Sequence, residues 1–349
     1  MHIETDAALA QYNTLAFEAT SAALIRASSM STLKEVLVWA QGGTHKGGHD
    51  LIPLGGGSNI VLAGDLPQAV LSVELKGRKV LKRGSESVEV AVAAGENWHE
   101  LVAWTLAQGF YGLENLALIP GCVGAAPIQN IGAYGVELAS VLHRVHALDI
   151  ASGQTLILSA ADCQLGYRDS VFKQALRDQV VIYQVDLTLS THPNIQLAYP
   201  ALADFLQQQG IDKPSPEQVF DAVVAIRRAR LPDSTIEPNA GSFFKNPVLP
   251  LAQAEVLVGD YPRLPRYRVA DDLVKVPAAW LIEQCGWKGR RLGQVGVHPD
   301  HALVLVNYGS RHGSELLTLA DQIQTSVQIR FGIDLDIEPR IYGGMNERL

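Results

Sequence analysis

A glycine triplet followed by a hydroxyl and an amide, Gly55-Gly56-Gly57-Ser58-Asn59, is the first stretch of this 349-residue chain whose residue types bear on chemistry. With no Cβ in the way, consecutive backbone N–H groups can close on a diphosphate. A plain glycine turn is the competing reading, and the segment alone does not separate the two. It is not a dinucleotide fingerprint, because Ile60 stands where the third glycine belongs and β-like residues follow instead of a helix. It is not a Walker A loop either, since no Gly-Lys-Ser/Thr follows. A second glycine-rich stretch runs from Ile119 to Gly135 and contains Pro120, Pro127 and Gln129-Asn130. It would make a poor core element, and irregular loops of this length usually bind something.

Two shorter clusters carry reactive side chains. In Gly166-Tyr167-Arg168-Asp169-Ser170 an arginine stands between an aromatic and a carboxylate, with an ordinary surface ion pair as the plain alternative. In Gly241-Ser242-Phe243-Phe244-Lys245-Asn246-Pro247 a serine is flanked by glycine and phenylalanines, with a buried turn as the plain alternative. Ser242-x-x-Lys245 also matches the acyl-transfer signature S-x-x-K. That chemistry needs a helix opening at the serine, and Gly241 and Pro247 leave little room for one. The companion Lys-Thr-Gly and Ser-Asp-Asn motifs of that class do not occur. The pairs His143/His146 and His298/His301 lack the carboxylate of H-E-x-x-H, so no metal site is expected.

These groups must be positioned by elements that the pattern partly reveals. Leu51–Leu54, Ile60–Leu62, Ala69–Leu75, Val88–Ala93, Arg144–Asp149, Thr155–Ser159 and Val180–Leu189 read as strands. Trp98, Leu101, Val102, Thr105 and Leu106 share one helical face over 96–108, which Gly109 ends. Ser215-Pro216 with Gln218 forms a capping box for a helix carrying Val219, Phe220, Val223 and Val224, and its last turn holds Arg227, Arg228 and Arg230. Beyond Leu231-Pro232 helices and strands alternate: Ala278–Cys285, Ala302–Asn307, Ser314–Phe331 and Leu335–Ile341. A domain boundary is therefore expected near residue 231.

Composition bounds the function. The chain is 47% hydrophobic and 18% charged, enough to build a sizeable core. Its formal net charge of −8 comes without a basic stripe, which argues against nucleic acid as a partner. Cys122, Cys163 and Cys285 form neither a C-x-x-C pair nor a disulfide framework. The acidic opening residues and the Pro- and Gly-broken stretch Leu116–Ile128 predict neither signal peptide nor membrane span. A cytoplasmic protein is expected.

Several stretches together resemble one family, the type I UDP-N-acetylenolpyruvoylglucosamine reductases (UDP-N-acetylmuramate dehydrogenases). They are Asn13-Thr14, Leu54–Asn59, Ala94–Trp98, Gly112–Asn115, Ile119–Glu137, Gly166–Lys173, Asn239–Pro247, Trp280–Cys285 and His298–Asn307. They span most of the chain in one order, and Pro127–Gly135 is the most specific. The resemblance implies an α+β fold: a vanillyl-alcohol-oxidase (PCMH) type FAD-binding domain of two subdomains over 1–230, and a C-terminal α/β substrate-binding domain over 231–334. It further implies a strand and tail, 335–349, that return to the flavin. FAD, held noncovalently, would meet Gly55, Gly56, Gly57, Ser58, Asn59, Ile119, Gly124, Gln129, Asn130 and Gly132, with Arg227 and Arg340 near the isoalloxazine. Tyr134, Tyr199, Arg230, Asn246 and His301 would meet the substrate, and Arg168, Ser242 and Glu338 would be catalytic. Leu15 replaces the family's phenylalanine, Arg230 its lysine and His301 its glutamine, while the closing Glu-Pro-Glu reads Asp336-Ile337-Glu338-Pro339.

The implied reaction uses NADPH as hydride donor and UDP-N-acetylglucosamine enolpyruvate as acceptor, in a ping-pong cycle that builds a peptidoglycan precursor. Hydride reaches the terminal vinyl carbon, C3; Ser242 protonates C2; Arg168 takes the substrate carboxylate; and Glu338 enters protonated. Neither membrane nor nucleic acid is an expected partner, and the chain is expected to be monomeric. The rivals are a flavin oxidase acting on another hydroxy acid or sugar, and a non-catalytic nucleotide-sugar binding module.

Overall fold

A computed structural model describes residues 1–42 and 50–344; the last five positions of the expected C-terminal tail, 345–349, lie outside the described residues. The chain divides into two compact units, one of residues 1–7, 21–57 and 67–229, the other of residues 8–20, 58–66 and 230–349.

The first unit contains two sheets. One runs in the order Ile3–Ala8, Thr20–Ala27, Leu66–Val73, Leu51–Leu54, and its last two strands are parallel. Helix α1 (Met30–Gln41) begins where Ser29 accepts a hydrogen bond from the Thr32 N–H, and buries Leu33, Val36, Leu37 and Ala40 along one face. The other sheet is fully antiparallel, in the order Thr155–Ser159, Leu142–Asp149, Val180–Ser190, Ser87–Ala93, Arg78–Arg83. Its inner face is the apolar row of Val88, Val90, Val92, Val145, Ala147, Ile182, Val185 and Leu187, all buried. Helix α2 (Trp98–Ala107) is capped by Asn97 and buries Trp98, Leu101 and Val102 in the same core. Helices α3 (Pro200–Gln208) and α4 (Pro216–Arg230) follow. The expected capping box of α4 forms: Ser215 N–H donates to Gln218 Oε1 (2.8 Å), and Gln218 N–H donates to Ser215 Oγ (3.3 Å).

The second unit holds an antiparallel sheet in the order Asn239–Ser242, Val304–Asn307, Val295–Val297, Arg291–Leu292, and a small sheet of Val248–Pro250, Leu273–Lys275 and Tyr267–Arg268. Helices α5 (Leu251–Asp260), α6 (Ala278–Gln284) and α7 (Gly313–Phe331) accompany them. Asn13 folds the 8–20 segment around its own amide, which donates to Leu9 O and Phe17 O (3.0 Å each) and accepts from Phe17 N–H (3.0 Å).

The closing strand corrects the expectation of one element over Leu335–Ile341. Only Arg340–Tyr342 is a strand, parallel to Ile60–Leu62 with Arg340 opposite Ile60. Residues 336–338 pair elsewhere: Lys245 N–H donates to Asp336 O, Phe244 bridges Ile337, and Glu338 N–H donates to Phe243 O. Pro339, which has no N–H to donate, is where the segment changes neighbours. None of the described helices is long and apolar enough to cross a membrane.

Candidate active site

In the first unit the two glycine-rich stretches meet through their backbones. The 121–124 loop is laddered onto 94–98: Trp98 N–H donates to Gly121 O, Val123 N–H to Glu96 O and Gly124 N–H to Ala94 O. A Cβ on Gly124 would lie 2.6 Å from Ala94 Cβ, and one on Gly56 would lie 3.0 Å from Gly121 Cα. A Cβ on Gly55 would collide with Cys122 Sγ. Glycine is therefore required by close approach, and what results is a backbone-lined cradle of the kind that accepts a diphosphate. His99, stacked on Phe220 with centroids 5.4 Å apart, steadies the entry to the loop: its Nδ1 accepts the Leu118 N–H at 3.1 Å.

The backbone is unusually bent here. Leu118 (φ 59°), Asn130 (45°), Tyr134 (49°) and Arg168 (54°) all adopt the left-handed region without being glycine. Each such residue costs on the order of 1 kcal/mol, a cost that persists only where surrounding contacts over-determine it. Those contacts are visible. Asn130 is fully buried; its Nδ2 donates to Glu137 Oε2 (2.9 Å) and Gly166 O (3.1 Å), and its Oδ1 accepts the Ala139 N–H (2.9 Å). Asn115 Nδ2 donates to Tyr134 O and Gln196 O, both at 2.9 Å. Arg168 sits at the corner of a hairpin closed by reciprocal Gly166 and Asp169 backbone bonds, and its Nη2 donates to Gly132 O at 2.9 Å.

Arg227, near the end of α4, is half-buried and shares this neighbourhood. Burial, first of all, pulls its pKa below the ordinary guanidinium value; Tyr134 opposes that shift and the Arg168 charge adds to it. Its Nε is buried and has no hydrogen-bond partner among the described residues. A buried guanidinium nitrogen left this way suits an electronegative group on a cofactor. Tyr134 and Tyr199 pack edge to face, with centroids 5.2 Å apart. Arg168, Arg227, Tyr134, Gly132 and Asn130 are thus brought together within one unit, while the glycine triplet meets the start of the 119–135 loop.

The second unit carries Ser242 and Glu338. Ser242 ends the strand Asn239–Ser242, opposite Val304, directly after Gly241 at φ 71°. Phe243 and Phe244 anchor it: both are buried and pack edge to face at 5.4 Å, each contributing roughly 1.5–3 kcal/mol of burial. Because Glu338 N–H donates to Phe243 O at 2.9 Å, Ser242 and Glu338 stand on adjoining backbones. Lys245 lies on an extended segment, with its Nζ 3.7 Å from Asp336 Oδ2, so the helix that an S-x-x-K acyl transferase needs is not formed. Asn246 Oδ1 accepts the Ala278 N–H (2.9 Å), capping α6, whose own cap position is Pro277. Asn59 O accepts the Arg340 N–H at 3.0 Å, so Ser58-Asn59 runs beside the closing strand.

His301 is half-buried, and its Nδ1 accepts the Leu303 N–H at 3.3 Å. Burial chiefly, then the charges of His298 and Arg230, lower its pKa below the ordinary histidine value. Arg230 itself is exposed at the end of α4. Ile119 and Gln129 are half-buried in the loop. Reading the residues one by one missed the supports: Asn115 and Ser170, both buried, and His99. Their signal was present in the sequence, because a buried-looking polar residue inside a glycine-rich motif needs a partner.

A family model for an FAD-binding domain matches residues 21–159, the stretch that carries the cradle, and the chain is a flavoprotein by that domain. The model described as the UDP-N-acetylenolpyruvoylglucosamine reductase C-terminal domain matches residues 232–342. A protein of Paraburkholderia phymatum named UDP-N-acetylenolpyruvoylglucosamine reductase is 52% identical over 82% of this chain and 83% of its own. One of the same name from Chromobacterium violaceum is 44% identical over 98% of this chain and 99% of its own. This chain belongs to the UDP-N-acetylenolpyruvoylglucosamine reductase family. The crystal structure of the reductase from Thermus caldophilus covers 98% of both chains at a TM-score of 0.66 and 23% identity, and so shares the fold. The fold class is the one expected, α+β, with an FAD-binding domain followed by a C-terminal domain of the reductase family.

Proposed function

We propose that this protein reduces UDP-N-acetylglucosamine enolpyruvate to UDP-N-acetylmuramate, with NADPH as electron source and noncovalent FAD as carrier, in peptidoglycan precursor synthesis. The single observation that carries the reading is the pairing of 243–245 with 336–338, which sets Ser242 beside Glu338 in a chain of this family. FAD would rest on Gly55–Asn59 and on the 119–132 loop through Ile119, Gly124, Gln129, Asn130 and Gly132, with Arg227 and Arg340 toward its ring system. When bound, it supplies a two-electron carrier that takes hydride from NADPH and passes it to C3 of the vinyl group.

The chain's own residues do the rest. Arg168 offers a planar fork to the substrate carboxylate, where negative charge grows as C3 gains hydride. Ser242 gives its proton to C2, so hydride and proton together saturate the double bond. Glu338, next to a second carboxylate, serves in its neutral form, since two charges so close would oppose binding. Arg230 and Asn246 hold the diphosphate, His301 lies alongside, and Tyr134 and Tyr199 flank the nucleotide sugar. Residues 1–230 would carry the flavin, 231–334 the substrate, and 335–349 would close the site. The protein would act as a cytoplasmic monomer, with neither membrane nor nucleic acid as partner.

Anaerobic mixing tests the reading. The yellow protein should bleach with NADPH and regain its colour with the enolpyruvyl UDP-sugar. Bleaching by a hydroxy acid but not by NADPH would point to an oxidase, and no response to either would leave a binding module.

A further inference from the structure

Arg168 stands at the tip of a two-residue hairpin, half-exposed and in a left-handed conformation, which is a poor platform for a group that must meet a carboxylate within tenths of an ångström. Two buried polar side chains flank it. Asn130 reaches from the 119–135 loop to Gly166 O, on the near side of the hairpin, at 3.1 Å. Ser170, 1% exposed, reaches back from the far side: its Oγ donates to Ile128 O at 2.6 Å and accepts the Phe172 N–H at 3.1 Å. Gly132 O takes the guanidinium itself at 2.9 Å. The hairpin is thus tied to one loop at Ile128, Asn130 and Gly132.

We infer that Ser170, with Asn130, is a positioning residue for the reaction: it sets the Arg168 guanidinium against the flavin-binding loop so that one rigid piece presents both. The inference rests on the role proposed above for Arg168. A turn-forming serine would need only to accept the Phe172 N–H. Donation to Ile128 O, across 42 residues of sequence, is the part that serves the arginine.

The test uses the FAD-loaded protein in anaerobic stopped flow. Ser170→Ala should retain FAD and be reduced by NADPH at the wild-type rate, while reoxidation by the enolpyruvyl UDP-sugar slows about tenfold, as a shifted catalytic group requires. Ser170→Thr, which keeps the hydroxyl, should restore reoxidation. On an Arg168→Ala background Ser170→Ala should add nothing further, because the group it positions is gone. If Arg168→Ala slows reoxidation but Ser170→Ala does not, or slows it equally in both backgrounds, the brace is overturned and the reading of Arg168 stands. If Arg168→Ala leaves reoxidation untouched, both fall. Should Ser170→Ala fail to fold, Ser170→Cys, which fills the same space with only a weak donor, serves the same cycle with the same outcomes.

Discussion

The first unit and the second build their shares of the chemistry from different materials. Around 118–168 the chain bends through five non-glycine left-handed residues and packs in close approach at Gly55, Gly56 and Gly124; its polar side chains Asn115, Asn130 and Ser170 are spent holding that shape. Around Ser242 and Glu338 the backbone is a strand end laid beside an extended segment, anchored by Phe243 and Phe244. No non-glycine residue described between 230 and 344 has a positive φ. Shape is what a bound cofactor needs, and it is made with backbone. A transferred proton needs one side chain at one place, and ordinary strands supply it. Damage to the first region should therefore remove a ligand, and damage to the second should remove a step.

The largest effect is expected at the cradle. In Gly124→Val the new side chain meets Ala94 in the partner segment, with no flexible atom to yield, and the purified protein should be colourless. A fully loaded yellow variant would break the comparison. Arg230→Ala comes next. Loss of a charged phosphate contact should raise KM for the UDP-sugar roughly 10- to 100-fold with little change in kcat, since phosphate binding is shared by ground and transition states. An unchanged KM would remove Arg230 from the site.

His301→Gln should be milder. Burial, first of all, lowers the pKa of His301 from the ordinary histidine value, which favours the neutral ring at pH 7. KM should thus be flat from pH 7 to 8 in wild type and variant alike, whereas a histidine-dependent slope there would show that its charge is used.

The smallest effect concerns stability. Glu114 is buried and its pKa is raised, by burial first. The folded state therefore binds more protons than the unfolded one. The resulting stability is complete below the unfolded carboxyl pKa and is lost as pH rises through the folded value. Glu114→Gln should raise Tm slightly at pH 8 and flatten its dependence on pH, which thermal unfolding at two pH values will show.

Legibility in the sequence followed the same division. The capping box of α4, the helix ended by Gly109 and the strands Leu51–Leu54 and Thr155–Ser159 were readable because each depends on neighbours in sequence. Helix α1 left an equally local signal in Ser29, Leu33, Val36, Leu37 and Ala40, and it was passed over. The glycine motifs advertised a cradle, but not that Gly124 faces Ala94 or that Gly56 faces Gly121, since those contacts join distant segments. The closing segment misled for a physical reason: an apolar alternating run does not say that Pro339 will divide it between Phe243 and Asn59. Arg168, Ser242 and Glu338 were named through likeness to a family, whereas Asn115, Ser170 and His99, which support the loop, became visible only through their partners.

Stopped-flow measurement of the two half-reactions in Ser242→Ala tests most directly the claim that the second region supplies a step. FAD binding and reduction by NADPH need no proton from Ser242 and should match wild type. Reoxidation by the enolpyruvyl UDP-sugar should slow by roughly 10²–10⁴-fold, the usual cost of a lost general acid. If both halves slow equally, or if reoxidation is untouched, Ser242 is a structural strand end and the proton comes from elsewhere, with Glu338 the next group to test.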